Sequence, residues 1–147
     1  MRYDPRRTSL DLYPVRRTIT PLFGDTDALG HINNVSIARY FEQARVLVME
    51  AVSSALDGRH PFERAVLAKI EINFLAEVFY PHEIVIATGV HHIGTSSLVI
   101  GSALFQRDRC VALADSVDVS TAAQGGSRPV PEDSRIALEK FRLAYPQ

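Results

Sequence analysis

The chain has 147 residues, 46% of them hydrophobic and 22% charged, with a formal net charge of −1. That length buries one substantial core, and so small a net charge supports neither a nucleic-acid-binding field nor charge-driven disorder. The single cysteine, Cys110, excludes an intrachain disulfide, and no apolar N-terminal segment marks secretion or membrane insertion, so a cytoplasmic protein with no membrane or nucleic-acid partner is expected.

Residues 1–14 mix Arg2, Arg6 and Arg7 with Asp4, Asp11, Pro5 and Pro14 and show no period. They are expected as a flexible arm, either solvated or touching a phosphate-bearing ligand or a neighbouring subunit, ahead of a single domain over 15–147. Val15, Ile19, Leu22 and Phe23 suit a first strand over 15–23, ended by Gly24. Ile37, Phe41, Ala44, Val48, Ala51 and Ala55 then recur at three- and four-residue steps, which predicts an amphipathic helix from about Val35 to about Leu56. Asn33 or Asn34 suits its N-cap, and Gly58 with Pro61 supplies its stop.

The period then changes to two. Ile70, Ile72, Phe74, Ala76 and Val78 alternate with Lys69, Glu71, Asn73 and Glu77, predicting a half-buried strand that Tyr80-Pro81-His82 breaks. Residues 83–92, 97–106 and 110–121 continue as β-rich runs joined at Gly94-Thr95 and Arg107-Asp108-Arg109. Such short connections read as an antiparallel meander. Pro131 to Ala144 reads as a short helix. One long helix followed by one large antiparallel sheet is best satisfied if the sheet curls around the helix, and the exposed sheet edge favours pairing of two copies.

The chemistry is concentrated ahead of the long helix. Asp25, Asp27, His31, Asn33 and Asn34 crowd ten positions beside Gly24 and Gly30. A helix N-terminus with free N–H groups is suited to polarising a carbonyl or holding an anion. Read without their surroundings, Asp25 and Asp27 are turn or capping residues, and Tyr40 and Phe41 are core or pocket wall.

The run Phe23-Gly24-Asp25-Thr26-Asp27-Ala28-Leu29-Gly30-His31-Ile32-Asn33-Asn34, followed by Tyr40-Phe41-Glu42-Gln43-Ala44-Arg45, resembles the signature of hotdog-fold acyl-CoA thioesterases of the 4-hydroxybenzoyl-CoA thioesterase type. The likeness extends through Ile70–Leu75, the Gly94-Thr95-Ser96-Ser97 turn and Arg128–Glu132. It implies an α+β hotdog fold: a long central helix wrapped by a five-stranded antiparallel sheet, plus a short C-terminal helix, assembled as a homodimer or homotetramer with active sites between subunits. The implied substrate is an acyl-CoA or acyl-carrier-protein thioester, with no cofactor beyond the CoA of the substrate itself.

By position, Asp27 matches the family's catalytic carboxylate, as nucleophile or general base, and Asn34 the residue whose backbone N–H polarises the thioester carbonyl. His31 joins them as a hydrogen-bonding helper or a brace for the loop. Gly30, Asn33, Tyr40, Phe74, Thr95 and Ser96 are the candidate substrate-binding positions, although Thr95 and Ser96 also read as plain turn residues. Arg64, Lys69 and Arg128 are the basic residues considered for the CoA phosphates. Metal binding is not expected: His91 and His92, adjacent on a strand, should point to opposite faces, and no paired-cysteine or His-Glu-x-x-His spacing occurs. No Gly-x-Ser-x-Gly elbow is present. A carrier-protein thioesterase and a non-catalytic acyl-thioester binder are the competing readings.

Overall fold

The computed structural model describes residues 3–146; Arg2, part of the expected arm, lies outside the described residues, as do Met1 and Gln147. Five strands, β1 (Val15–Ile19), β2 (Arg64–Phe74), β3 (Ile84–Ile93), β4 (Ser97–Gln106) and β5 (Arg109–Thr121), form one sheet in the order β1-β3-β4-β5-β2, with every pairing antiparallel. Two helices complete the chain, α1 (Asn34–Ser54) and α2 (Glu132–Glu139). This is the expected helix wrapped by a sheet.

α1 starts where its cap allows. The Asn33 side chain accepts a hydrogen bond from the Ser36 N–H at 2.8 Å, so Asn33 is the N-cap and Asn34 the first helical residue. At the other end Gly58, at φ +82°, returns its N–H to the Ser53 carbonyl at 3.0 Å and closes the helix. The N-terminal half of α1 buries Ile37, Tyr40, Phe41 and Ala44 against Ile84 and Ile86 of β3, Leu104 of β4 and Ala112 and Ala114 of β5. Its C-terminal half buries Val48 and Val52 against Val90, Leu98 and Ile100, and α2 adds Ala137 and Leu138. Val52 rather than Ala51 continues the buried stripe. Each large aliphatic side chain buried in this way contributes roughly 1.5–3 kcal/mol.

Three expectations are corrected. β1 stops at Ile19 rather than running to residue 23: Pro21 cannot donate to the ladder, and Phe23–Asp25 turns as a short 3-10 segment. β2 does not join the meander with β3 but crosses to the far side and pairs with β5, because residues 75–83 carry the chain across the end of the sheet. That crossing holds the loop ahead of α1: the Ile32 N–H bonds the Val78 carbonyl at 2.8 Å, and His31 bridges Phe79.

The third correction is the N-terminal segment. Residues 3–14 include two 3-10 turns, Pro5–Thr8 and Leu10–Leu12, packed on the convex face of the sheet, with Arg7 (3% exposed), Leu12 and Tyr13 buried. The Arg7 guanidinium straddles the Asp115 carboxylate, with Nη1 at 2.7 Å from each oxygen, and Nη2 donates to the Ala114 carbonyl at 2.9 Å. Gly89 and Gly101, in register on β3 and β4, make the trough that receives this layer. A Cβ on Gly89 would sit 2.7 Å from Pro14 Cδ, and one on Gly101 would sit 2.9 Å from Leu143 Cδ1. A solvated arm is therefore not what these residues form.

Candidate active site

Asp25 and Asp27, two residues apart, sit in opposite surroundings. Asp25 is enclosed: its carboxylate accepts from the Leu22 N–H at 3.0 Å and the Tyr40 hydroxyl at 2.7 Å, with Arg39 at 3.5 Å. Burial works against its charge, but the Leu22 N–H, the Tyr40 and Ser36 hydroxyls and Arg39 outweigh it and hold the carboxyl below the usual carboxylate range. Asp25 is thus the brace between the loop and the first turns of α1. Tyr40, expected among the substrate contacts, spends its hydroxyl on this brace, and its ring lies in the core.

Asp27 is exposed. One carboxylate oxygen, Oδ1, accepts from the Leu29 N–H at 2.9 Å and the His31 N–H at 3.3 Å, while the Asp27 N–H donates to the His31 carbonyl at 2.9 Å. Gly30, at φ +80°, makes this tight turn possible and donates its own N–H to the Asp27 carbonyl at 3.1 Å. Among the described residues Asp27 Oδ2 has no hydrogen-bond partner, so the turn fixes the carboxylate through one oxygen and leaves the other available.

Asp27 lines a cavity of about 420 Å³ together with His31, Asn34 and Phe74. Ile32, Ile37 and Val78 form its apolar wall, and Glu77 stands at its side with Oε1 3.8 Å from His31 Nε2. The Asn33 N–H is taken by the Asp25 carbonyl and the Ser36 N–H by the Asn33 cap, whereas among the described residues the Asn34 and Val35 N–H groups have no acceptor. A carboxylate and the first helical residue, Asn34, whose N–H is free among the described residues, therefore line the same space, a pairing suited to attack on a carbonyl that gathers negative charge.

Of the residues expected from sequence, Asp27, His31, Asn34 and Phe74 meet at this cavity; Gly30 and Asn33 shape the loop and cap beside it. Thr95 and Ser96 do not join them. They form the β3–β4 turn, where the Thr95 carbonyl accepts from the Val130 N–H and the Ser96 carbonyl from the Ser120 N–H, at the end of the sheet that packs on the C-terminal half of α1. Lys69 pairs with Glu71 and Arg128 with Glu63. His91 and His92 do not point to opposite faces: a bulge between Val90 and His92 turns both towards a convex-face cavity beside Asp115. Among the described residues no three His, Cys, Asp or Glu side chains converge as a metal site. Sequence reasoning misses Glu77 as a site residue, because alternation assigns it to the solvated side of a strand that ends three residues earlier, at Phe74.

Residues 21–138 match the family model of the thioesterase-like superfamily. Among solved structures, a predicted thioesterase from Bacillus stearothermophilus is 28% identical, with a TM-score of 0.77 over 87% of this chain and 96% of that one. A thioesterase from Thermus thermophilus, complexed with coenzyme A and Zn, is 26% identical with a TM-score of 0.75, over 86% and 98% of the two chains. A 1,4-dihydroxy-2-naphthoyl-CoA thioesterase from Synechocystis, 14% identical with a TM-score of 0.73 over 90% and 98%, shares the fold. No curated protein matches the chain. The fold is the hotdog fold of these thioesterases, and the chain, matched over most of its length, belongs to the thioesterase-like superfamily.

Proposed function

We propose that this thioester hydrolase cleaves acyl-CoA to a carboxylic acid and free CoA, with Asp27 as the reacting carboxylate and the Asn34 N–H as the donor to the carbonyl oxygen. The observation that carries the reading is the shared cavity of Asp27, with its unpartnered Oδ2, and the free N–H groups at the start of α1. The coenzyme A bound to the related Thermus thermophilus thioesterase supports CoA as the leaving group.

Two routes fit a carboxylate in this position. In one, Asp27 attacks the thioester carbon, the C–S bond breaks, the CoA thiolate takes up a proton, and water then hydrolyses the mixed anhydride. In the other, Asp27 takes a proton from a water that attacks the same carbon, and that proton passes to the departing thiolate. Both build negative charge on the carbonyl oxygen, and a fixed N–H at that oxygen is worth ~10²- to 10³-fold in rate.

The active unit is a homodimer joined along β2. Among the described residues this edge strand has only β5 as a neighbour and leaves Val66, Leu67, Ile70 (36% exposed) and Phe74 (44% exposed) uncovered, which pairing with a second copy would bury. Release of free thiol from a panel of short, long and aromatic acyl-CoAs tests the activity, and sedimentation tests the assembly. Hydrolysis of at least one member by a dimer is expected. Absence of hydrolysis across the panel would overturn the enzymatic reading, and a monomer at micromolar concentration would overturn the assembly.

A further inference from the structure

On the concave face of β5, Ala112, Ala114 and Ser116 are followed by Asp118, in register with Leu67 of β2 and Leu98 of β4. The pattern calls for a small or apolar residue there. Asp118 is only 9% exposed, and among the described residues its carboxylate has neither a hydrogen-bond nor an ion-pair partner. A carboxylate so placed leaves its acceptor sites to whatever occupies the adjoining space. It lies in a cavity of about 420 Å³ whose other walls include Arg45, Met49, His60, Ala65 and Leu67. Burial pushes its pKa up while Arg45 and His60 pull the other way, and burial prevails. Among the described residues no hydrogen bond joins the His60 ring to it; His60 Nδ1 meets the Phe62 backbone instead.

Within one protomer this cavity is remote from Asp27. The Asp27 cavity is at the Phe74 end of β2 and the Asp118 cavity at the Ala65–Leu67 end, separated by seven or more residues, or about 23 Å of extended strand. Antiparallel pairing of β2 with a second β2 about a two-fold axis reverses that relation. The Phe74 end of one protomer then lies beside the residue-65 end of the other, and the two cavities become neighbours across the interface.

We propose that Asp118 reads the acyl group: its carboxylate accepts a hydrogen bond from a hydroxyl on the acyl portion of a thioester held at Asp27 of the opposite protomer. The cavity sets Arg45 and Arg64 against Asp118 and Glu63, so its charged walls offer both signs and favour neither a cation nor an anion, which leaves a neutral donor as the fitting group. Met49, Ala65 and Leu67 supply the apolar wall for the carbon skeleton that carries it. This assignment rests on the thioesterase reading and on the β2 dimer.

The test compares kcat/KM for matched acyl-CoA pairs with and without a hydroxyl, 4-hydroxybenzoyl against benzoyl and 3-hydroxybutyryl against butyryl, in the wild-type dimer, Asp118→Asn and Asp118→Ala. In at least one pair the wild-type protein should favour the hydroxylated member by about 10- to 100-fold. Asp118→Ala should bring that ratio close to one, and Asp118→Asn, nearly isosteric and still able to accept, should keep an intermediate ratio. Mixed dimers of Asp27→Ala and Asp118→Ala chains should recover the wild-type preference, because only a site built across the interface is left intact in such a pair. No hydroxyl preference in the wild type, or a preference unchanged in Asp118→Ala, overturns the inference alone. Failure of the mixed dimers to recover it overturns the placement across the interface, and hydrolysis of no thioester at all overturns the thioesterase reading beneath it.

Discussion

The two faces of the sheet treat their carboxylates differently. On the convex face the half-buried Asp115 is partnered by Arg7, which bonds both its oxygens, and by His91 Nδ1 at 3.3 Å, beside a layer made of the chain's own first and last described residues. On the concave side Asp27 is held through one oxygen, and Asp118 is buried with no partner among the described residues. A carboxylate whose acceptor sites are filled by the protein contributes to folding; one with sites left open is available for chemistry or recognition. Asp25 shows the same contrast over two residues, since it braces the loop that presents Asp27.

The largest expected effect is on the open side. Replacing Asn34 with proline removes the free N–H without breaking the helix, because proline is tolerated at the first helical position and Asn33, at φ −73° and ψ 157°, already has the conformation that a following proline requires. Asn34→Pro should lower kcat for thioester hydrolysis by ~10²- to 10³-fold, whereas Asn34→Ala, which keeps the N–H, should stay close to wild type. Equal loss in both would assign the effect to the side chain instead.

On the closed side the effects fall on stability. Arg7→Met leaves Asp115 without its bidentate partner and should cost about 2 kcal/mol in denaturant unfolding, with kcat unchanged. Gly101→Val drives a side chain into Leu143 and Arg7 and should cost about 1–3 kcal/mol. An unchanged midpoint in either variant would show that the N-terminal layer adds nothing to the fold.

The smallest effect is the acid dependence. Burial raises the Asp115 pKa, but the hydrogen bond with His91 and the charge of Arg7 outweigh it and leave the carboxyl below its ordinary value. Its folded pKa is therefore lower than its unfolded one, so its contribution is fully present above about pH 4 and is lost as pH falls through the folded value. The stability gap between wild type and Asp115→Asn should be constant near neutrality and shrink in acid. A gap that widened in acid would reverse the sign of this assignment.

Much of the fold is legible in the residues themselves. The stepping of Ile37, Phe41, Ala44 and Val48 with a short polar cap marks α1 and its N-terminus, because both are local. Alternation from Lys69 onwards tells which residues share a face of β2 but not which strand lies beside it, and so the pairing with β5 escapes it. Arg7 looks solvated because its stretch is charged and proline-bearing, while its partner Asp115 is 108 residues further along. Asp118 gives no signal beyond a carboxylate in a β-rich run; its meaning comes from register and burial, which one sequence does not display. The turn of Thr95 and Ser96 is legible as a turn, but its place in the fold is not: within one protomer it lies at the other end of α1 from Asp27.

The most direct test is to measure thiol release and thermal unfolding on one preparation of Asp27→Asn, a near-isosteric change that keeps an acceptor for the Leu29 and His31 N–H groups. Turnover lowered ~10²-fold or more at an unchanged melting temperature is the predicted result. Turnover retained, or turnover and melting temperature lost together, would contradict the claim that Asp27 is the carboxylate this fold leaves open for chemistry.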